Sequence, residues 1–171
     1  MIDDKSTEVG QIALKKAGTR DLQVLINFTK PDARVVAFRG RKAEIMYPKL
    51  KTVQEIDLGK RTELVDQFLL VGFGTSGQEL QSNYSVTYGG EETIAGQKAH
   101  KLLLTPRREK LQAMELWIAD AGGYPVQQKY VQPSGDYHLF TYQDVKVNPQ
   151  LGEEAFKMVV PKGYKREFPQ K

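Results

Sequence analysis

The sequence contains no cysteine, which excludes disulfide bonds, thiol catalysis and cysteine-ligated metal sites. No apolar run approaches the length of about eighteen residues that a transmembrane helix requires, so no transmembrane segment is expected. The two histidines, His100 and His138, each lack a second ligand at metal-binding spacing. We therefore expect no metal and no cofactor.

Motifs of hydrolytic enzymes are absent as well, since neither G-x-S-x-G nor H-E-x-x-H occurs. Adjacent acidic residues do occur, as Asp3-Asp4, Glu91-Glu92 and Glu153-Glu154. Neighbours on a strand point to opposite faces, so these pairs are expected at the surface and not as an acid/base couple. The sequence therefore favours a protein that is not an enzyme.

The charge distribution gives no sign of a nucleic-acid partner. The net charge is +4, with 25 Lys and Arg spread among 21 Asp and Glu, and the basic-aromatic pattern of an RNA-binding sheet is missing. The most basic stretch, 161–171 (PKGYKREFPQK), is predicted to be a solvated tail. No nucleic acid is expected to bind.

Residues 72–77 match the G-x-G-x-x-G pattern of dinucleotide-binding loops. That fold needs a strand before the glycines and a crossover helix of about a dozen residues after them. Residues 78–82 supply only about one and a half helical turns before the next predicted strand. The glycines are therefore interpreted as the link between two helices.

The first of these helices is predicted within 60–82, where apolar residues recur at helical spacing. Gly72 or Gly74 is expected to end it, because glycine tolerates the left-handed conformation. Ser76 and Glu79 then fit a capping box that begins a short second helix.

Most of the remaining sequence alternates apolar and polar residues, as strands do. The predicted strands cover 21–28, 33–40, 42–48, 50–58, 83–90, 98–106, 113–120, 125–132 and 136–147. The links at 88–90, 95–97, 121–123 and 133–135 are turn-like, which predicts an antiparallel meander. With 171 residues, the chain is predicted to form a single domain, 1–171.

One long sheet has two faces, and only about two helices are available to cover them. A curled sheet with helices over its hollow would form a lined pocket. The alternative is that the same apolar residues fill a closed core, and the pattern alone leaves both possibilities open.

Several elements of the sequence follow one another in an order known from one family. The C-terminal third carries a strand at Leu116-Trp117-Ile118, a turn from Asp120 to Pro125, a strand ending near Asp144, Asn148-Pro149, and a Phe156 strand closing on Pro161-Lys162-Gly163. Upstream, 93–106 (TIAGQKAHKLLLTP) reads as a Gly-centred hairpin, and 26–48 reads as paired strands with a Pro-containing turn and a Tyr-Pro corner. This ordered set resembles LolA-type outer-membrane lipoprotein carriers over nearly the whole chain.

The resemblance implies a mainly β (α+β) fold, a curved antiparallel unclosed half-barrel with lid helices over a hydrophobic cavity. In that family the cavity takes acyl chains of lipoproteins or other lipids and carries them through the periplasm toward the outer membrane. It implies a periplasmic monomer whose partners are acyl chains and membrane-bound donor and acceptor proteins. The broader superfamily also includes sensing domains, so a lipid-sensing or protein-interaction domain is the alternative.

Two departures from the family concern the start of the chain. The family begins with a signal sequence and an amphipathic helix, whereas MIDDKSTEVG is polar from its third residue. We expect a truncated N-terminus. The absence of cysteine favours a soluble carrier over an acceptor with a lipid-modified cysteine.

The candidate acyl-chain contacts come from the early strands, the predicted lid and the later strands, and plain core packing is the alternative for each. They are Val24, Ile26, Phe28, Val36, Phe38, Leu64, Phe68, Leu69, Phe73, Leu102, Leu104, Leu116 and Ile118. Arg34 and Arg39 lie near strand ends, where a basic group could meet a lid carbonyl or a lipid headgroup; a surface role is the alternative.

Overall fold

The computed structural model describes residues 6–17, 21–59, 71–73, 75–108, 112–132 and 134–169. Two compact units are present, one formed by Met1–Glu63 with Gln150–Lys171 and the other by Leu64–Pro149. Each unit contains one sheet and is described by itself. The single domain 1–171 stays a prediction.

The first unit is built on a six-stranded sheet. Its strands are β1 (Val9–Ala17), β2 (Asp21–Lys30), β3 (Arg34–Arg39), β4 (Lys42–Tyr47), β5 (Thr52–Asp57) and β11 (Lys165–Glu167). They lie in the order β1-β2-β3-β4-β5-β11. The first five pair antiparallel through hairpins, as short links predict, and β11 joins β5 in parallel.

The second unit contains a five-stranded antiparallel sheet and a short helix. Its strands are β6 (Tyr84–Ile94), β7 (Gln97–Pro106), β8 (Ala113–Ala119), β9 (Pro125–Val131) and β10 (Tyr137–Thr141), in the order β10-β9-β8-β7-β6. The helix α1 (Gly77–Asn83) precedes β6. The predicted capping box is confirmed: the Glu79 amide donates to Ser76 Oγ at 3.2 Å, and the Ser76 amide donates to Glu79 Oε2 at 2.9 Å.

The predicted fold class is confirmed. The chain is mainly β, and neither sheet closes on itself among the strands that the structure describes. Gly72 has a left-handed φ of 86°, as expected of a residue that ends a helix, although the helix predicted over 60–70 lies outside the described ranges. In the described part of the chain, no helix is both long enough and apolar enough to cross a membrane.

Some predicted elements are wrong in detail. The link predicted at 88–90 is a bulge inside β6, and the chain turns at Ala95-Gly96 instead. Phe156 belongs to a 3-10 helix, Glu153–Phe156, and not to a strand. The strand expected to end near Asp144 ends at Thr141. The tail is largely exposed, as a solvated tail would be, but three of its residues form β11, which was not predicted.

Candidate functional site

The first sheet has one apolar face, which follows from its register. Val24 pairs directly with Leu14 on β1 and Phe38 on β3, and directly opposed residues share a face. Extending this register through β4 and β5 gives the residues of the apolar face. They are Ile12, Leu14, Leu22, Val24, Ile26, Phe28, Val36, Phe38, Ala43, Ile45, Tyr47 and Ile56.

The apolar face is closed at its centre and open toward β1. Val24 is fully buried and Val36 is 8% exposed, whereas Ile12 is 44% exposed. Ile26 and Phe38 are partly buried. The structure brings together all five candidates from the early strands on this face: Val24, Ile26, Phe28, Val36 and Phe38. Their role as acyl-chain contacts stays a prediction.

One charged residue, Arg34, lies at the rim of the apolar face. It pairs with Phe28 across β2 and β3, and its guanidinium carbon lies 3.9 Å from the centre of the Phe28 ring. Its two terminal nitrogens donate to the two carboxylate oxygens of Glu8 at 2.5 and 2.8 Å. These hydrogen bonds hold the pKa of Glu8 below its usual value. The second basic candidate, Arg39, is exposed and lies on the opposite face of β3.

A bulge between Val9 and Gly10 sets the course of the segment that carries Glu8. Thr29 Oγ1 donates to the Val9 carbonyl at 3.1 Å, which ties this segment to β2. A Cβ atom on Gly10 would lie 2.6 Å from the Asn27 carbonyl oxygen, so only glycine allows this approach of the two backbones. The Glu8 carboxylate thereby reaches across β2 to Arg34 on β3.

The opposite face of the first sheet is covered from within the same unit. Phe156, in the 3-10 helix, is 7% exposed and lies against β1 and β2. Lys15 on β1 pairs with Glu153 at 2.7 Å and lies over the Phe156 ring. Met46 and Val53 are also buried on this side. The part of this face around Phe156, Met46 and Val53 is therefore packed, whereas Asn27 and Arg39 on the same face are exposed.

The second sheet places the four later candidates on one face. Leu102 opposes Leu116, and Ile118 opposes His100 in the same register. Leu104 and Leu116 are 2% and 1% exposed and belong to a core cluster with Val71, Tyr84, Met114 and Tyr130. Leu102 and Ile118 are partly buried and pack against that cluster. In this unit the candidates form a packed core.

A buried polar residue, Gln128, organises the same core. Its amide nitrogen donates to the Val71 carbonyl, and its oxygen accepts from Tyr142 at 2.7 Å. Burial raises the pKa of both Tyr142 and Tyr130. The candidate Phe73 is half-buried and contacts the Tyr142 ring edge-on, with the ring centres 5.0 Å apart.

The other face of the second sheet carries ion pairs. Lys101 Nζ lies 2.7 Å from Glu115 Oε2 and 4.7 Å from the centre of the Trp117 ring. The Trp117 indole donates to Glu92 at 3.0 Å. Burial acts to raise the pKa of Glu115, but its lysine partners outweigh burial and the pKa lies below its usual value. This network ties neighbouring strands together beside a second buried cluster formed by Ala99, Trp117, Ala119 and Val126.

Chemistry-bearing residues cluster once more at the end of the second sheet. His100 lies between Asp120, at 2.7 Å, and the Tyr88 hydroxyl, at 3.2 Å. The hydrogen bond to His100 lowers the pKa of Asp120. Among the residues described, no group of three or more His, Asp and Glu is arranged to hold a metal ion. The two carboxylates Glu91 and Glu92 have different partners on opposite faces, as the strand pattern predicts.

Sequence analysis missed residues that extend the apolar face, and three predicted lid residues cannot be placed. Leu64, Phe68 and Leu69 lie outside the described residues. Ile12 and Leu14 were missed because β1 was not predicted; Ala13 between them weakens the alternation of apolar and polar residues that marks a strand. No sequence pattern pointed to Glu8, because its pairing with Arg34 depends on the bulge between Val9 and Gly10.

Comparison with protein-family models and with curated proteins gives no match. Among solved structures, a crystal structure of MucB is similar over 90% of this chain and 53% of that chain, with 17% identity and a TM-score of 0.55. A crystal structure of MucB in complex with MucA(peri) is similar over 90% of this chain and 50% of that chain, with 17% identity and a TM-score of 0.51. The chain therefore spans about half the length of these structures.

The matches also include a LolA superfamily protein from Nitrosomonas europaea, at 16% identity and a TM-score of 0.33, covering 80% of this chain and 61% of that one. At these identities a likeness concerns the fold alone. The two MucB structures, with TM-scores of 0.55 and 0.51, show that this chain shares their fold.

Proposed function

We propose that this protein binds the acyl chains of lipoproteins or other lipids on the apolar face of its first sheet and carries them through the periplasm toward the outer membrane. One observation carries the proposal: five candidate contacts share an apolar face whose edge at Ile12 is 44% exposed. The resemblance of the sequence to LolA-type carriers supports it. The proposed activity is non-enzymatic and uses no cofactor.

The energy of such binding is adequate without a covalent step. Burying an acyl methylene contributes roughly 0.8 kcal/mol, so full enclosure of a palmitoyl chain would contribute about 12 kcal/mol. A face that encloses only part of the chain would retain part of this energy. Delivery then requires a donor that holds the chain less tightly than this protein and an acceptor that holds it more tightly.

Native mass spectrometry of the protein purified from bacterial cells tests the proposal. We expect a mass excess that corresponds to one phospholipid or acylated peptide, identified after extraction. Ile26→Asp places a charge on the apolar face and should abolish the excess. Asn27→Asp, on the same strand but on the opposite face and exposed, is the matched control and should retain it.

A protein without bound lipid that also fails to take up an added fluorescent fatty acid would contradict acyl-chain binding. The apolar face would then be plain core. Loss of the bound mass in both variants would point to a general effect of an added carboxylate and would also count against the assignment of this face.

The second candidate function is a lipid-sensing or protein-interaction domain on the same scaffold. The observation that favours it is the similarity to MucB, which has been solved in complex with MucA(peri). A carrier should transfer acyl chains between two vesicle populations in a concentration-dependent manner. A sensor should instead form a stable protein complex whose affinity changes when lipid is added, with no transfer between vesicles.

A further inference from the structure

The rim of the apolar face holds a preformed oxyanion-binding geometry. The Arg34 guanidinium is fixed against the Phe28 ring and binds both oxygens of one carboxylate, that of Glu8, from two nitrogens. Such a two-pronged arrangement is the one by which arginine recognises carboxylates and phosphates. Arg34 is at the same time a direct neighbour of a predicted acyl-chain contact, Phe28.

We propose that Arg34 binds the oxyanion end of an acyl ligand, a carboxylate or phosphate whose chain lies along the apolar face, and that Glu8 occupies this position when no ligand is bound. This inference rests on the proposed function. Glu8 then acts as an internal competitor that must be displaced before the ligand end can be bound.

The surrounding charges are consistent with an exchange of one anion for another. Asp32, the other carboxylate close to Arg34, is paired with Lys49. The Glu8 side chain is 40% exposed, so water can solvate its carboxylate after displacement. The Arg34 side chain is 24% exposed and remains paired in both states. The exchange therefore leaves no buried charge without a partner.

The position of Arg34 also gives the ligand a direction. Arg34, Val36 and Phe38 alternate along one face of β3, and Phe28, Ile26 and Val24 run beside them on β2. A chain whose oxyanion lies at Arg34 can extend past Phe28 and Ile26 toward Ile12, on the open side of the face. The polar end stays at the rim, where water has access.

Equilibrium dialysis with laurate, dodecyl phosphate and dodecanol tests the inference, because these probes share one chain and differ at its end. Wild type should bind laurate and dodecyl phosphate about tenfold more tightly than dodecanol. Arg34→Gln should weaken binding of the two anions about tenfold and leave dodecanol within twofold. Glu8→Gln should strengthen binding of the anions several-fold, because the competitor has lost its charge.

The matched control is Arg39→Gln, which removes an exposed arginine from the same strand on the opposite face and should change none of the three affinities. Arg34→Lys keeps the charge but loses the two-pronged geometry, and it replaces Arg34→Gln if that variant does not fold. Its preference for laurate and dodecyl phosphate over dodecanol should lie between those of wild type and a variant without the charge.

Equal wild-type affinity for laurate and dodecanol would overturn the inference while leaving acyl-chain binding intact. Equal weakening of all three probes by Arg34→Gln would also overturn it, since Arg34 would then be structural. Displacement of laurate by millimolar inorganic phosphate would show recognition of a free oxyanion instead of a lipid end. If none of the three probes binds, the proposed function fails together with the inference.

Discussion

At the scale of single residues, Gln128 shows how much of the second unit depends on one polar side chain. It is 0% exposed, yet its amide group satisfies the Val71 carbonyl and the Tyr142 hydroxyl. A buried polar group that loses its hydrogen-bond partner costs about 1–3 kcal/mol. The turn at Val71 is therefore fixed to the sheet by a group that apolar patterning does not reveal.

Replacing this residue tests that dependence. Gln128→Leu keeps a similar volume but leaves two buried groups without a partner, and should lower the free energy of unfolding by about 3 kcal/mol. Gln127→Leu, one position earlier, affects only the exposed Thr141 hydroxyl and should cost below about 1 kcal/mol. Urea denaturation measures the free energy of unfolding of both variants. Equal losses of stability would contradict the role of Gln128 as the hydrogen-bond partner of Val71 and Tyr142.

A second residue-scale prediction concerns pH. The pKa of Glu8 is lowered, chiefly by its hydrogen bonds to Arg34, so the ion pair stabilises the fold above the ordinary glutamate pKa of about 4.3. Its contribution is lost as the pH falls through the lowered pKa. The difference in melting temperature between wild type and Glu8→Gln should therefore be largest near neutral pH and shrink at acidic pH, as the Glu8 carboxylate becomes protonated.

The control for the pH experiment is Glu167→Gln, an exposed carboxylate on β11. The difference in melting temperature between Glu167→Gln and wild type should stay small from neutral to acidic pH. A Glu8→Gln difference that does not change with pH would mean that the side chain acts through packing and not through its charge.

At the scale of elements, what could be predicted from the sequence depended on the strength of local patterns. β2 carries apolar residues at every second position from Leu22 to Phe28, and β3 is a short apolar run between Arg34 and Arg39. Both strands are found close to their predicted bounds. β11 consists of three residues, all of them exposed. One of these, Arg166, forms an ion pair at 2.6 Å with Glu44, which is distant from it in the sequence. No local pattern could predict that pairing, because its partners are distant in sequence.

The candidate site was predictable to a similar extent. Strand parity placed Val24, Ile26 and Phe28 on one face without any knowledge of pairing. The ion pair between Arg34 and Glu8 could not be predicted in the same way. It depends on a bulge in β1 and on a side chain that extends across β2 to β3, and neither feature produces a periodic pattern in the sequence. Leu104 lies in a buried cluster with Val71 and Tyr84, a contact that strand parity does not predict, and its role as an acyl-chain contact stays a prediction.

The helix α1 supports one prediction at this scale. Ser76→Ala removes the acceptor of the Glu79 amide and should lower the free energy of unfolding by about 1 kcal/mol. Ser85→Ala, an exposed strand position just beyond the helix, should have little effect. Thermal denaturation followed by circular dichroism measures both, and an unchanged melting temperature for Ser76→Ala would contradict a stabilising cap.

At the scale of the whole molecule, the chain returns to its first sheet after forming the second. Phe156, from the C-terminal part of the first unit, is 7% exposed and covers β1 and β2. Phe156→Ala should therefore destabilise the first unit by about 3 kcal/mol. Hydrogen exchange should accelerate in β1 to β5 and remain unchanged in β7 to β9.

Phe168→Ala provides the comparison, because this aromatic side chain is 66% exposed and its loss should alter exchange in neither sheet. Faster exchange in both sheets of Phe156→Ala would show that the two units unfold together.

The order of the units along the chain has a consequence for biosynthesis. A ribosome completes every residue from 64 to 149 before it makes Phe156, although the strands that Phe156 covers were made at the start. At cellular elongation rates, the nascent first sheet lacks the cover that Phe156 gives to β1 and β2 for on the order of ten seconds. The second unit is contiguous and can fold first, so the first unit, although it begins earlier in the sequence, is the last to be completed.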